Sequence, residues 1–397
     1  MALMPAYCEA LRREIAASHE RWGRAPISTI YVGGGTPSLL PLDGMAGIIA
    51  AVHATFDLSQ CIETSVEVNP GTVDRPYLDG LRSLGFDRLS IGAQSAHEEE
   101  LQMLGRIHSW PDVVRALEGA RGAGFENCSL DLLFGLPRQS LERWRQTLER
   151  ALELEPEHLS LYGLSVEEDT PLARQIAAGD LVAPDDDRAA TMYELAEETL
   201  AAVGYFHYEI SSWARVHPSS EWAGSRWWPI SDPLACMPEV SEGLSPYVCS
   251  HNLTYWRNEP WLGVGAGAWS WMTRAGLGGG ASWSEPGSGG ARWTNVDHPR
   301  DYVDGQAADA PLASRSREVE EIDRQMEMGE TMMLGLRLAE GVGAERFEAR
   351  FGVRMVDVFG EELSGLQKVG LLGWDGAVAR LTERGRLLGN RVFERFV

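Results

Sequence analysis

The sequence contains no long apolar run and few cysteines. No stretch of about eighteen consecutive apolar residues occurs in the 397-residue chain, and the opening segment, MALMPAYCEALRREI, carries charges where a signal peptide has an apolar core. The cysteines are five in number and widely spaced: Cys8, Cys61, Cys128, Cys236 and Cys249. We therefore expect a cytoplasmic protein with neither a disulfide framework nor a CxxC zinc site.

Basic residues are also scarce. Lysine and arginine together number 35, against 58 aspartates and glutamates, which gives a formal net charge of −23 at pH 7. Because this charge repels phosphate backbones, it argues against nucleic acid as the main partner. With 44% hydrophobic and 23% charged residues, the composition is that of an ordinary globular protein with one large core or a few smaller ones.

The first half of the chain alternates short β-rich runs with amphipathic helical segments. The β-rich runs cover residues 27–33, 61–70, 88–95, 128–137 and 158–167. Between them, apolar residues recur at three- and four-residue spacing, as in 77–84 and 141–154. This alternation predicts repeated βα units on a parallel sheet or barrel. The array opens on a predicted helix, residues 5–22, so we expect its first strand to be missing.

Glycine or polar residues follow each of the five predicted strands. In order they are Gly33-Gly34-Gly35-Thr36, then Glu67 and Asn69, Gln94, Asp131, and Tyr162 with Ser165. Each has a purely structural alternative: the glycines as a tight βα turn, Asn69 as a turn residue, Gln94 as a helix cap, Asp131 as a satisfied core carboxylate. Because the carboxyl ends of parallel strands meet at one edge, the five together predict a single polar pocket.

The residue types of this pocket favour a zwitterionic, nucleoside-like ligand. A glycine strand edge exposes backbone groups, and the carboxylates of Glu67 and Asp131 accept hydrogen bonds from an ammonium group or ribose hydroxyls. The glycine loop lacks the Gly-Lys-Ser/Thr of a P-loop and the G-x-G-x-x-G spacing of a dinucleotide fold. A triphosphate is therefore disfavoured.

Six segments in order resemble one family over nearly the whole chain. GGGTPS, SVEVNPG, RLSIGAQS, LGRIH, SLDLLFGLP and LSLYGLSVEEDTPL are similar to the radical S-adenosylmethionine family of oxygen-independent coproporphyrinogen oxidase relatives. The resemblance implies that S-adenosylmethionine is bound, with its methionine end at Gly34, Gly35 and Thr36. It places further side chains around the ligand: Glu67, Gln94, Arg106 and Asp131, with Tyr162 and Ser165 lining the site. Without the resemblance, Arg106 reads as a solvated charge at a helix end.

The N-terminus departs from the family pattern. Family members begin with a strand and a CxxxCxxC loop whose three thiolates hold a [4Fe–4S] cluster. This chain has no such loop, and Cys8 falls on the helix that should follow it, so no ligand role is transferred to Cys8. We expect a clipped N-terminus rather than a natural cluster-free variant. As written, the chain is expected to be inert as a radical enzyme, and whether it is an enzyme stays open.

A second motif lies in the middle of the chain, in SHNLTYWRNEPWLGVGAG. Its residues are His251, Asn252, Tyr255 and Trp256. A histidine with neighbouring aromatic rings suits a porphyrin as axial ligand and stacking wall, whereas the structural alternative is a strand edge with core aromatics and a hydrogen-bonded histidine. The HNxxYW pattern resembles the heme-associated motif of the heme-chaperone branch of the family, which the oxidising branch does not share.

The resemblance therefore implies a heme chaperone that transfers heme to acceptor proteins, with S-adenosylmethionine and a [4Fe–4S] cluster in the complete protein. Two alternatives stay open: a coproporphyrinogen III oxidase-like enzyme of porphyrin biosynthesis, and a pseudoenzyme that keeps the barrel as a binding scaffold. The implied partners are heme, heme-accepting proteins and an electron donor. A peripheral membrane contact is left open, and nothing indicates the oligomeric state.

The predicted fold is α/β, an incomplete parallel (β/α) barrel of radical S-adenosylmethionine type. We place this barrel at residues 1–205, and an α+β middle region at 206–312 with a Trp-, Pro- and Ser-rich insertion at 216–250. Glycine and serine predict a loop from residue 276, and a helical connector starts at 297–302. A long helix is predicted over 319–338, within a helical, winged-helix-like C-terminal domain at 313–397. The acidic balance does not support the nucleic-acid association usual for such a domain.

Overall fold

The computed structural model describes residues 3–168, 170–216, 245–277, 287–306 and 316–397. The strands are β1 (Thr29–Val32), β2 (Glu63–Val68), β3 (Arg88–Gln94), β4 (Asn127–Phe134), β5 (His158–Gly163), β6 (Tyr205–Glu209), β7 (Ser212–Arg215), β8 (Trp269–Thr273), β9 (Gly290–Asn295), β10 (Ser316–Ile322), β11 (Val342–Gly343), β12 (Leu372–Trp374) and β13 (Val378–Leu381).

The helices begin with α1 (Met4–Trp22), α2 (Leu42–Thr55), α3 (Arg75–Ser83), α4 (Glu98–Met103), α5 (Trp110–Gly122), α6 (Leu141–Leu152), α7 (Pro171–Ala177) and α8 (Asp186–Ala202). They continue with α9 (Ser250–Trp256), α10 (Arg274–Leu277), α11 (Pro299–Gln306), α12 (Arg324–Gly335), α13 (Ala344–Phe351), α14 (Met355–Lys368), α15 (Glu383–Leu387) and α16 (Gly389–Phe393). The chain divides into two compact units. The first contains Met1–Ile30, Leu40–Glu63 and Cys249–Val397, and the second contains Tyr31–Leu39 and Thr64–Val248.

The second unit is built on a seven-stranded sheet in the order β1-β2-β3-β4-β5-β7-β6. Strands β2 to β5 pair in parallel, each with the next strand along the chain, and helices connect them. Strands β7 and β6 then extend the sheet in antiparallel orientation. The predicted βα units and their parallel sheet are confirmed, and the ends of each of the five predicted strands lie within four residues of those of an observed strand.

The two faces of this sheet differ in chemistry. Side chains alternate between the faces along each strand, and one face carries leucines and an isoleucine that are at most 1% exposed: Leu89, Ile91, Leu130, Leu132, Leu159 and Leu161. The other face carries Glu67, Ser90, Ser129, Asp131, His158 and Ser160. The apolar face stabilises the sheet through burial, and the polar face carries a network of hydrogen-bonding side chains.

Side-chain caps fix where several helices of this unit begin. The Asp74 carboxylate accepts a hydrogen bond from the Tyr77 amide at 2.9 Å at the start of α3, and the Ser140 hydroxyl accepts one from the Arg143 amide at 3.2 Å at the start of α6. Each satisfies a backbone donor that the helix itself leaves unpaired.

The first unit has a core between α1, α2 and β8. Cys8, Ile15 and Trp22 of α1 pack with Ile48 and Val52 of α2 in this core. The buried carboxylate of α1, Glu14, accepts hydrogen bonds from the Gly265 amide at 2.9 Å, the Asn295 side-chain amide at 2.8 Å and the Tyr302 hydroxyl at 2.5 Å. Because three donors satisfy it, this buried carboxylate has a structural role and links α1 to the segments that contain Gly265, Asn295 and Tyr302.

The C-terminal part of the first unit is helical, as predicted. It contains α12 to α16 and a small antiparallel sheet in the order β11-β13-β12. Phe359 packs against both Phe347 and Phe396, with ring centroids 6.0 and 5.4 Å apart.

The long helix predicted over 319–338 is wrong at its start. Residues 316–322 form β10, which pairs antiparallel with β9, and α12 begins only at Arg324. Asp323 separates the two elements, since its side chain accepts a hydrogen bond from the Met326 amide at 2.9 Å and caps α12.

The domain boundaries predicted at 205/206 and 312/313 stay predictions. Most of the predicted insertion, residues 217–244 of 216–250, lies outside the described residues, as does much of the predicted glycine-rich loop after residue 276. The helical connector predicted from 297–302 corresponds to α11.

Candidate functional site

The glycine edge after β1 is joined to Glu67 of β2. The Gly34 amide donates to Oε2 of Glu67 at 3.1 Å, and the Tyr31 hydroxyl donates to Oε1 at 2.9 Å. A Cβ at Gly33 would lie 2.5 Å from a carbon of the Tyr31 ring and 2.9 Å from Glu67 Oε1, so no side chain fits there without displacing them. Gly34 and Gly35 have φ values of +83° and +57°, which suit glycine. Three consecutive glycines are therefore explained by both space and conformation.

Asp131 lies on the polar face of the sheet, on β4, next to β3. The Ser90 hydroxyl is 2.9 and 2.8 Å from its two carboxylate oxygens, and the Ser129 hydroxyl is 3.2 Å from Oδ1. Burial raises the pKa of Asp131, opposed by hydrogen bonds from Ser90 and Ser160 and by the charge of Arg88, while the charge of Glu67 raises it further. The structure thus brings Asp131 and Glu67 into one electrostatic environment.

Arg106 belongs to the same environment. Burial lowers the pKa of its guanidinium group, and the negative charge of Asp131 acts against that shift. Arg106 is partly buried and not fully solvated, and its contact with a ligand stays a prediction.

Gln94 ends β3 in an uncommon backbone conformation. Its φ is +66°, although it is not a glycine, and its side chain is only 8% exposed. Its Nε2 lies 3.0 Å from the position that a Cβ on Gly92 would occupy, so Gly92 leaves room for the Gln94 side chain. The alternative role as a helix cap does not apply, because the N-cap of α4 is His97. Such a held, unfavourable conformation is typical of functional sites.

The remaining predicted pocket residues are more exposed. Thr36 follows the glycines and its carbonyl accepts a hydrogen bond from the Leu39 amide at 3.0 Å. Tyr162, near the end of β5, is 42% exposed, and Ser165 beyond it is exposed. Their contact with a ligand stays a prediction.

A buried chain of hydrogen bonds behind Asp131 was not predicted. The Ser129 hydroxyl is 2.8 Å from Nδ1 of His158, and Nε2 of His158 is 2.8 Å from the Tyr208 hydroxyl. Burial, and secondarily the charge of Arg88, lowers the pKa of His158 well below its usual value, so its ring is neutral. The sequence does contain a signal for these hydrogen bonds. Polar residues alternate with leucine in SLD (129–131) and HLS (158–160), and this period of two places Ser129, His158 and Ser160 on the same face of the sheet as Asp131.

The HNxxYW motif lies in the first unit, on α9. The structural alternative is wrong about a strand edge, because residues 250–256 are helical, but the hydrogen-bonded histidine it included is observed. Glu63 binds the start of this helix: it accepts hydrogen bonds from the Ser250 amide at 2.7 Å and the His251 amide at 3.3 Å. A carboxylate at this end also complements the helix dipole. Glu63 was not singled out from the sequence, where it is one acidic residue among many.

His251 and Tyr255 are four residues apart on this helix and touch each other. Nε2 of His251 is 2.9 Å from the Tyr255 hydroxyl, and Nδ1 is 2.9 Å from the Thr29 hydroxyl. The Tyr255 ring stands perpendicular to that of Trp261, with centroids 4.9 Å apart, and burial raises the pKa of Tyr255 to about 12. The other two motif residues, Asn252 and Trp256, are partly buried, and the Arg337 guanidinium carbon lies 4.4 Å from the Trp256 ring centroid.

No metal-binding cluster and no membrane span is found in the described part of the chain. Within those residues, no three His, Cys, Asp or Glu side chains are grouped so that they could hold a metal ion. Cys8, Cys61, Cys128 and Cys249 take part in no disulfide, and Cys236 lies outside the described residues. No helix among them is both long and apolar enough to cross a membrane.

Two family models match the chain, the Radical SAM superfamily at residues 9–151 and the HemN C-terminal domain at residues 322–388. The heme chaperone HemW of Bacillus subtilis is 32% identical over 98% of this chain and 91% of its own length. The heme chaperone HemW of Escherichia coli is 33% identical over 94% of this chain and 84% of its own. The chain belongs to the HemW family.

The HemW assignment agrees with a solved structure of the same fold. Coproporphyrinogen III oxidase (HemN) from Escherichia coli aligns with a TM-score of 0.74 at 24% identity, covering 98% of this chain and 82% of that one. This similarity confirms the predicted radical S-adenosylmethionine fold. The resemblance inferred from GGGTPS to HNxxYW is confirmed as well, down to the heme-chaperone branch.

Proposed function

We propose that this protein is a heme chaperone, which binds heme and passes it to acceptor proteins. The relatives named heme chaperones are similar to it over nearly its whole length. The observation that carries the proposal is that His251 and the aromatic residues Tyr255 and Trp256 lie on one short helix that Glu63 caps. A neutral imidazole is a common axial ligand of heme iron, and aromatic rings pack on a porphyrin face.

The heme-binding side chains are His251 as the iron ligand, with Asn252, Tyr255 and Trp256 beside it. The Tyr255 ring is held by edge-to-face packing with Trp261, so an aromatic wall stands next to the imidazole. The Trp256 ring packs on the Arg337 guanidinium group, which is a cation–π contact that steadies the end of α9.

S-adenosylmethionine binds at the carboxyl ends of the parallel strands of the second unit. The set proposed for it is Gly34, Gly35, Thr36, Glu67, Gln94, Arg106, Asp131, Tyr162 and Ser165. The residues fit the ligand, since the Gly33 position leaves no room for a Cβ, the glycine backbone is exposed, and two carboxylates and a guanidinium share one environment. Glu67 and Asp131 accept hydrogen bonds from its ammonium and ribose groups, and Arg106 offsets their charge. S-adenosylmethionine supplies a sulfonium group that a low-potential cluster can cleave.

The described residues do not fit a [4Fe–4S] cluster. Such a cluster needs three cysteine thiolates close together, and those residues contain no such group. We therefore derive no electron-transfer step through it. The further partners proposed for the complete protein are heme-accepting proteins and an electron donor, and the proposed location is the cytoplasm.

Hemin titration of the full chain tests the proposal. His251→Ala is expected to weaken hemin binding and remove the spectrum of histidine-bound iron, whereas His53→Ala, which removes an exposed histidine of α2, is expected to change neither. A parallel assay with coproporphyrinogen III, S-adenosylmethionine and a reductant checks the oxidase alternative. If the protein turns over coproporphyrinogen III and does not bind hemin, the proposed chaperone function is wrong and the oxidase alternative is correct.

A further inference from the structure

Both ring nitrogens of His251 are already hydrogen-bonded within the first unit. Nδ1 lies 2.9 Å from the Thr29 hydroxyl and Nε2 lies 2.9 Å from the Tyr255 hydroxyl. The two rings are nearly perpendicular, at 87°, with centroids 5.0 Å apart. An imidazole that is to bind iron needs one nitrogen with a free lone pair, and here the two partners occupy both.

The chemistry of the two partners indicates how the protons are arranged. A neutral imidazole has one N–H and one acceptor nitrogen, and a phenol is a better hydrogen-bond donor than an aliphatic alcohol. Tyr255 therefore donates to Nε2, and the N–H at Nδ1 donates to Thr29. In the opposite tautomer Nε2 would carry the proton itself, so in either arrangement Nε2 is not available to iron.

The neighbours of Tyr255 and His251 hold this pair in place. Glu63 accepts the backbone N–H of His251 at 3.3 Å, and Trp261 packs edge-to-face on the Tyr255 ring at 4.9 Å. The backbone of α9 is thus fixed, while the Tyr255 side chain is only partly buried. The hydrogen bond between His251 and Tyr255 joins two side chains, so breaking it leaves the backbone hydrogen bonds at the start of the helix intact.

We propose that the Tyr255 hydroxyl is a displaceable cover on the iron-binding nitrogen of His251, and that Thr29 is the positioning residue that keeps this nitrogen the unprotonated one. This inference rests on the proposed heme-chaperone function and adds how the same site is regulated. When hemin binds, the iron loses a water ligand and gains a bond to Nε2, and the Tyr255 O–H exchanges its imidazole acceptor for water. No electron moves and no proton leaves the protein.

The cover lowers heme affinity and makes release easier. When the iron bond to Nε2 breaks, the Tyr255 hydroxyl reforms its hydrogen bond, so the freed ligand is stabilised at once. A hydrogen bond to Thr29 at the other nitrogen acts in the opposite sense, because a second partner at Nδ1–H fixes the tautomer and raises the basicity of Nε2. The two hydroxyls on one imidazole therefore have opposite effects on hemin binding.

Hemin titration of four full-length variants tests the cover. Tyr255→Phe keeps the ring but removes the hydroxyl, and is expected to bind hemin about two- to tenfold more tightly, as expected for one lost competing hydrogen bond. Thr29→Val is expected to bind more weakly. Tyr193→Phe is the matched control, since the Tyr193 hydroxyl contacts Nε2 of His207 at 3.3 Å, in the second unit, and no change in hemin affinity is expected. In His251→Ala/Tyr255→Phe, the gain from Tyr255→Phe is expected to disappear.

The outcomes separate this inference from the proposed function. If His251→Ala weakens hemin binding but Tyr255→Phe does not strengthen it, the cover is wrong and the heme site stands. If Tyr255→Phe instead removes the iron-ligand absorption, tyrosine is itself the ligand and the cover is wrong. If His251→Ala leaves hemin binding unchanged, both the site at His251 and its cover are overturned. Thermal unfolding of each variant shows whether a loss of binding comes from a loss of fold.

Discussion

Nε2 of His158 lies 2.8 Å from the hydroxyl of Tyr208, and this contact closes a directed chain of hydrogen bonds that ends on Asp131. Ser129 donates to Asp131, so its oxygen accepts from Nδ1–H of His158, and Nε2 accepts from Tyr208. The neutral state of His158, which burial favours, is the state that this arrangement needs. The neutral tautomer of His158 with its proton on Nδ1 therefore satisfies every hydrogen bond from Tyr208 to Asp131.

Removing either end of the His158–Tyr208 contact is expected to destabilise the protein. Tyr208→Phe removes the hydroxyl that donates to a fully buried nitrogen, and His158→Leu removes the imidazole that both hydroxyls contact, so each should lower the free energy of unfolding by about 1–3 kcal/mol. The double variant should cost less than the sum of the single ones, because both remove the same bond. Urea unfolding measures the free energy of unfolding of all three variants. If the effects of the two single variants simply add in the double variant, the hydrogen bond between His158 and Tyr208 does not contribute as described.

The pH dependence of stability follows from the same histidine. Burial lowers the pKa of His158 in the folded state below the unfolded value of about 6.5, and it also lowers that of His108, so the unfolded chain binds protons more readily. The contribution of each to stability is present above about pH 6.5 and is lost as the pH falls below it.

We expect His158→Gln to have a smaller slope of unfolding free energy against pH between about pH 7 and pH 5, by up to 1.4 kcal/mol per unit. His53→Gln, at an exposed position, is the control and should keep the wild-type slope. Equal slopes in wild type and His158→Gln would show that His158 does not titrate as described.

A methyl group at Gly33 is expected to weaken S-adenosylmethionine binding about tenfold, or by about 1.4 kcal/mol. The added Cβ would lie 2.5 Å from the Tyr31 ring and 2.9 Å from Glu67, and would displace the hydrogen bond between them. Calorimetric titration of Gly33→Ala against wild type measures the effect. Gly360→Ala is the control, because nothing lies within 4 Å of its added Cβ. An unchanged dissociation constant in Gly33→Ala would remove the glycine edge from the binding site.

S-adenosylmethionine binding is also expected to weaken as the pH falls, through Asp131. Its pKa is raised above the usual value, chiefly by burial, so it takes up a proton at a higher pH than an exposed aspartate and then loses its charge. Asp131→Asn should bind S-adenosylmethionine more weakly at the pH values at which the wild-type carboxyl is ionised, and its affinity should depend less on pH than that of wild type. A profile as steep as that of wild type would show that Asp131 is not the group responsible for the pH dependence.

The strands and their polar ends could be predicted because the signals are local. β3, β4 and β5 are apolar runs bounded by turns, and parallel pairing brings their ends together without further information. What could not be predicted depends on contacts between distant segments. β10 is rich in glutamate and suggested a helix, but its backbone pairs with β9, and this pairing overrides the local preference.

The HNxxYW motif shows the same limit. Its pattern indicated a histidine near aromatic rings, yet the partners that decide its chemistry, Thr29 and Glu63, are about 190 to 220 residues away along the chain. His158 belongs to no motif of the sequence. Its hydrogen-bonding role follows only from the strand register, which pairs it with Ser129. Residues that act through a neighbour leave little trace in a single sequence.

The two faces of the main sheet contribute to the fold in different ways. Leu89, Leu130 and Leu159 contribute buried apolar area on one face, while serines and an aspartate on the other contribute mainly polar contacts. A mutation on the apolar side therefore costs buried area, whereas a mutation on the polar side costs hydrogen bonds. Where a polar side chain is fully buried, as at His158, its loss also weakens the architecture of the sheet.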